Sequence, residues 1–169
     1  SMGGTICLRL AQMEPLMFPK VVTISPAADP RISIFDINKL SFVSPLVSPI
    51  IGERFIKQVL KRVNSDAKKI STQDLQIYSK PYRRPEAVHS FIKSFALLRD
   101  RRTYENLRNM QQPVLVIWGK KDKIISVKYA QKIVSKLSHA KLEINEVAGH
   151  HVQEDEPQWT SQKIIEFLT

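Results

Sequence analysis

Three short apolar runs stand out against longer helical patterns along the chain. Lys20-Val-Val-Thr-Ile-Ser25, closed by Pro26, is β-branched and too short for an independent helix, so it reads as a buried strand. Pro113-Val-Leu-Val-Ile-Trp118 is the continuous apolar run of a parallel strand covered on both faces. From Lys141 to Val147, apolar positions at Leu142, Ile144 and Val147 predict a third strand. Helices are predicted around these strands. Gly4 to Met13 has Ile6, Leu8, Leu10 and Ala11 apolar and is followed by Pro15. Ser126 is expected to cap a helix through Val127, Ala130, Ile133, Val134 and Leu137. Pro157 opens a last helix expected to bury Trp159, Ile164, Ile165, Phe167 and Leu168. Strand, helix, strand, helix in succession implies right-handed crossovers and a parallel sheet.

Between 37 and 110 the pattern is helical, with no strong strand candidate. Phe55, Ile56, Val59, Leu60 and Val63 recur at helical spacing, and Ser71 with Asp74 resembles a capping box ahead of Leu75, Ile77 and Tyr78. Pro85 suits a first helical position before Val88, Phe91, Ile92, Phe95 and Leu98, a stripe that reads as core packing rather than a ligand face. Pro45, Pro49 and Pro81 punctuate the region. The chain therefore divides into an α/β part at 1–36, a helical insertion at 37–110 and a second α/β part at 111–169. It has neither internal repeat nor low-complexity tract.

A chain of 169 residues with 43% hydrophobic and 25% charged residues is expected to fold as one unit. It has no apolar run of the roughly 18 residues that span a bilayer, and its start lacks a secretory pattern, so a soluble, cytoplasmic protein is expected. The lone Cys7 excludes an internal disulfide and a cysteine metal cage, and it reads as a small buried apolar residue. The excess of 26 Lys+Arg over 16 Asp+Glu gives a formal charge of +10. Those residues are scattered in groups such as Lys57/Lys61/Arg62, Arg99/Arg101/Arg102 and Lys120/Lys121/Lys123, with no nucleic-acid-binding pattern around them. They read as a solvated basic surface, and no nucleic-acid partner is expected.

The residues that carry chemistry lie where the predicted strands end. Ser1-Met-Gly-Gly4 leads into a helix and resembles the back half of a G-x-S-x-G nucleophile elbow, with Gly3 and Gly4 letting helix and strand approach. The strand ending at Trp118 runs on through Gly-Lys-Lys-Asp122 to Ile124 and Ile125, a strand-then-G-x-x-D segment. Gly149-His150 is followed by Glu154, Asp155 and Pro157. In this order and separation the three segments resemble the α/β-hydrolase superfamily, of serine hydrolase or esterase type, from its nucleophile elbow onward. The resemblance implies a partial α/β-hydrolase fold: its last three parallel strands, flanking helices and an inserted helical cap at 37–110.

It also implies roles. Ser1 would be the nucleophile, His150 the base, Asp122 the acid and the Met2 N–H an oxyanion donor. His150 is preferred to the adjacent His151 because it follows Gly149 and keeps the family spacing to Pro157. In some branches the acid follows the preceding strand, which leaves Asp29 as the alternative. His89 and His139 read as ordinary surface or cap histidines, and Glu154 and Asp155 as structural or solvated carboxylates. The tail His150 to Pro157 also looks like that of haloalkane dehalogenases and epoxide hydrolases, but those attack with an aspartate. A serine points to esterases, lipases, iminopeptidases and C–C bond hydrolases.

The expected activity is thus hydrolysis of a small-molecule ester or related acyl bond, without metal or organic cofactor. Intact members carry further strands and a second oxyanion donor before the serine, so truncation is expected here. The first strand would lack a neighbour, and that edge is expected to be covered by a homo-oligomer or a missing N-terminal half. The competing expectation is a catalytically inactive hydrolase fragment that serves as a protein-interaction module.

Overall fold

The computed structural model describes residues 1–32, 53–66, 70–84, 86–87, 89–90, 93–94 and 101–169. The stripe from Val88 to Leu98, its opening Pro85, and Pro45 and Pro49 fall wholly or largely outside the described residues. The sheet has three strands, β1 (Val21–Ile24), β2 (Val114–Gly119) and β3 (Ala140–Asn145), all parallel in the order β1-β2-β3. Val21 stands opposite Val114, and Gly119 opposite Asn145.

The central strand explains its own sequence. All six residues of β2 are buried, because successive side chains feed opposite layers. Val114, Val116 and Trp118 meet Leu8 and Ala11 of α1 (Met2–Met13) together with Ala130 and Ile133. Leu115 and Ile117 meet Val152, Trp159, Ile164 and Phe167 on the other face. Each such side chain contributes about 1.5–3 kcal/mol on burial. The indole N–H of Trp118 donates to the Ile125 carbonyl at 3.0 Å, which ties the end of the strand to the loop beyond it.

Several helices depart from the expected pattern. α1 starts at Met2, and Ile6 and Leu10 are exposed, since only Thr5, Leu8 and Ala11 share the face turned to the sheet. A Cβ on Gly4 would stand 2.4 Å from Thr23 Oγ1, so Gly4 permits the approach of α1 to β1, whereas Gly3 has open space around it. β1 ends on Ser25, left-handed at φ 43, whose N–H still reaches the Ile117 carbonyl at 2.9 Å.

Between β1 and β2, the described residues form α2 (Glu53–Val63), α3 (Thr72–Ser79) and α4 (Arg101–Glu105), with short 3-10 turns at Lys80–Arg83 and Asn106–Asn109. No strand occurs there among the described residues. The capping box forms: Ser71 Oγ accepts the Asp74 N–H at 3.1 Å and Asp74 Oδ2 accepts the Ser71 N–H at 2.8 Å. Ile56, Leu60 and Val63 build a small core with Leu75, Tyr78 and Ile124. Leu107 and Met110 instead join the main core beneath α1.

α5 (Lys128–Val134) is not capped by the Ser126 side chain. Its first turn is tighter, with the Tyr129 N–H on the Ser126 carbonyl at 3.0 Å. Val147 lies beyond β3 and is exposed. A single turn, α6 (Val152–Asp155), precedes α7 (Pro157–Leu168), and it is too short to leave a periodic signal. α7 packs Trp159, Ile164 and Phe167 and leaves Ile165 and Leu168 in solvent, because those two lie on its outer face.

Candidate active site

Two loops leave the C-terminal ends of β2 and β3 and meet. On the first, Asp122 folds back on its own turn, and its Oδ1 accepts the N–H groups of Ile124 and Ile125, each at 2.8 Å. On the second, Asn145 Oδ1 accepts the N–H groups of Val147 at 3.0 Å and Ala148 at 2.9 Å. The backbone then joins the loops: Lys120 N–H to the Asn145 carbonyl at 2.8 Å, and Lys121 N–H to the Ala148 carbonyl at 3.0 Å. Gly119 is what lets them touch. A Cβ there would lie 1.9 Å from the Gly149 carbonyl oxygen and 2.5 Å from that of Ala148.

The result is a buried pair. His150 Nδ1 lies 2.7 Å from Asp122 Oδ2, with side chains 4% and 0% exposed. Burial pushes the His150 imidazole below its ordinary value of 6.5, and the hydrogen bond and charge of Asp122 recover only part of that. His151 takes a different partner, its Nδ1 lying 3.3 Å from Glu154 Oε2.

Ser1 stands on the same cleft as His150, a space of about 300 Å³ also lined by Gly3, Cys7, His151 and Gln153. Its backbone nitrogen donates to the Ile24 carbonyl at 2.7 Å. No hydrogen bond joins the Ser1 hydroxyl to the His150 ring. Met2 is the first residue of α1, where an N–H has no partner within the helix.

Asp29 is not brought to His150. It is buried, and Arg31 engages it three times: backbone N–H at 2.9 Å, Nε at 2.9 Å and a terminal guanidinium nitrogen at 2.6 Å. Burial alone would raise its pKa, but the bonds and charge of Arg31 hold it below the usual carboxylate range. Among the described residues, no three His, Cys, Asp or Glu side chains are grouped to hold a metal ion. Sequence reasoning missed three supports of the site: Asn145, the Val63 carbonyl and the two N–H groups bound by Asp155. Of these only Asn145, a turn-forming residue at the end of β3, carried a local signal.

Residues 1–157 match the family described as alpha/beta hydrolase fold. The chain belongs to that family. It is 26% identical over 173 residues to the uncharacterised hydrolase YugF of Bacillus subtilis, a match covering 99% of this chain and 63% of that protein. It is 32% identical over 65 residues to the monoacylglycerol lipase ABHD6 of Mus musculus, covering 38% of this chain and 19% of that one. In fold it is similar to a probable hydrolytic enzyme from Pseudomonas aeruginosa, at a TM-score of 0.80 and 16% identity, over 100% of this chain and 61% of the other. The alpha/beta hydrolase chain thus spans less than two thirds of the length of these relatives. None of its described helices is long and apolar enough to cross a membrane.

Proposed function

We propose that the protein is a serine hydrolase that cleaves an ester or related acyl bond of a small molecule, with Ser1, His150 and Asp122 as its triad. The observation that carries this reading is the buried 2.7 Å contact of His150 Nδ1 with Asp122 Oδ2, on a cleft that Ser1 also lines. An ionised carboxylate only accepts, so Nδ1 carries the proton and Nε2 keeps its lone pair. That is the tautomer a general base needs. As Ser1 Oγ attacks the acyl carbon, His150 would take the hydroxyl proton and pass it to the leaving oxygen, while Asp122 stabilises the imidazolium. Water, deprotonated by the same ring, would then release the acid and restore the serine. The Met2 N–H would be one oxyanion donor.

In this reading residues 1–36 carry the nucleophile, 37–110 form a cap, and 111–169 supply acid and base. The stretch shared with the mouse monoacylglycerol lipase supports an ester over a C–C bond. Turnover of p-nitrophenyl butyrate and labelling by a fluorophosphonate probe test the proposal. Both are expected to vanish in Ser1→Ala and His150→Ala, and labelling that survives Ser1→Ala refutes it.

A second reading, an inactive hydrolase-fold chain serving as an interaction module, rests on β1. No strand pairs with its outer edge among the described residues, and Ile6, Leu10 and Met13 of α1 face solvent. A wild-type protein that neither turns over nor labels would select it.

A further inference from the structure

The loop that delivers His150 is held to the end of α2 and the residues after it by bonds the chemistry above does not use. Asp155, 6% exposed, accepts with Oδ2 the N–H of Gly149 at 2.7 Å and the N–H of Ser65 at 2.8 Å. The carbonyl of Val63, the last residue of α2, accepts the N–H groups of His150 at 2.7 Å and His151 at 3.1 Å. There is no slack between them. A Cβ on Gly149 would lie 2.8 Å from the Val63 oxygen and 2.9 Å from Ser65 N. Val63 and its cluster also pack against Ile124, whose N–H is held by Asp122. Both loops that bring Asp122 and His150 together therefore rest on the C-terminal turn of α2. A second link, Tyr78 donating to Glu154, comes from α3 and is more exposed.

We propose that Asp155 is a positioning residue: by clasping the amides of Gly149 and Ser65 it sets His150 against Asp122, and it makes that setting depend on the seating of α2. The catalytic consequence rests on the serine-hydrolase reading; the structural one rests on the geometry alone. A charged acceptor binds backbone N–H groups about twice as strongly as a neutral one. Asp155→Asn therefore weakens both bonds at once while keeping the volume. A shift of about 1 Å in the base can cost on the order of a hundredfold in rate.

The test compares Asp155→Asn and Asp155→Glu with wild type in the full chain, using p-nitrophenyl butyrate kinetics across pH and an NMR titration of the His150 ring. Asn is expected to lower kcat about ten- to a hundredfold with KM within about twofold. It should also move the acid limb of kcat/KM up toward the ordinary imidazole value as His150 gains water, and Glu should restore most of kcat. A role in stability alone would lower Tm and leave kcat and the acid limb unmoved well below Tm, and that result overturns the proposal. If the wild type shows no turnover, the serine-hydrolase reading falls separately and the titration decides. A His150 midpoint shifted in Asp155→Asn sustains positioning, and an unchanged one overturns it. Should Asp155→Asn fail to fold, amide exchange on the wild type replaces it, with Gly149 and Ser65 expected to open together and independent opening overturning the clasp.

Discussion

Asp122→Asn probes the site most sharply, because the surrounding backbone decides which way the new amide faces. Asp122 Oδ1 accepts two N–H groups, from Ile124 and Ile125, both at 2.8 Å. An NH2 turned to that side would set a donor against two donors around a side chain with no exposed surface. Two buried donors left unsatisfied cost about 1–3 kcal/mol each, so the Asn oxygen takes the Oδ1 position by about 2–6 kcal/mol. The NH2 then faces His150 Nδ1. That nitrogen has to accept, the ring proton moves to Nε2, and no lone pair remains for the serine proton.

An Asp-to-Asn change that forces this tautomer costs about 10⁴ in kcat in a Ser-His-Asp enzyme, or about 5 kcal/mol of barrier. We expect a loss of that order on p-nitrophenyl butyrate. Tm should move by no more than about 4 °C, because the two turn bonds survive. Asp122→Ala removes the acceptor for both N–H groups and should lower Tm as well. Nitrogen-15 shifts of the His150 ring report the tautomer independently of turnover. A kcat within tenfold of wild type, or a ring still protonated on Nδ1 in the Asn variant, refutes the reasoning.

Gly119→Ala would place a methyl 1.9 Å from one backbone carbonyl and 2.5 Å from another, so a loop has to move. A cost of about 3 kcal/mol or more is expected as a lower urea midpoint with fluorophosphonate labelling lost, and an unchanged midpoint counts against the loop contact. His150, held below 6.5 by burial, should keep kcat/KM on its plateau to lower pH than an ordinary imidazole would. In the window below 6.5 and above the folded value, the unfolded chain takes up a proton that the folded one refuses, so stability falls on acidification through that window and levels off beneath it. Urea midpoints flat from pH 7 to 5 would contradict this. Ile6, Leu10 and Met13, at 50%, 45% and 57% exposure, line one face of α1, and Leu16 and Met17 beyond its end are exposed at 98% and 72%. The purified chain should self-associate in sedimentation and do so less with Leu10→Lys and Met13→Lys, and a monomer that binds no apolar dye argues otherwise.

The strands were legible because the information is local, whereas their side-by-side placement was only implied by the family resemblance. Six consecutive buried positions in β2 leave a continuous apolar run, and helical crossovers between parallel strands limit how the three can be arranged. Helix faces were less legible. Leu8 stands two residues from both Ile6 and Leu10, a spacing that puts it on the opposite side of the helix from that pair, so counting apolar residues overstated what α1 buries. Ile164 and Ile165 are neighbours and cannot share a face, and only the first packs.

The site divides along the same line. Asp122 and His150 sit in short segments whose order and separation are written in the chain, so both could be named in advance. What holds them cannot be read that way. Val63 contributes a carbonyl, Ser65 and Gly149 contribute N–H groups, and these atoms are the same in nearly every residue type. Asp155 read as a structural or solvated carboxylate, and only the chain's return from α2, 90 positions away, makes it an acceptor for Ser65. The turn that ends α2, whose own sequence is weakly informative, thus supplies the surface on which Asp122 and His150 are registered. A substitution in the last turn of α2 should consequently disturb the distance between Asp122 and His150 more than one of equal size on the exposed face of α7, although α7 is the nearer to His150 in sequence.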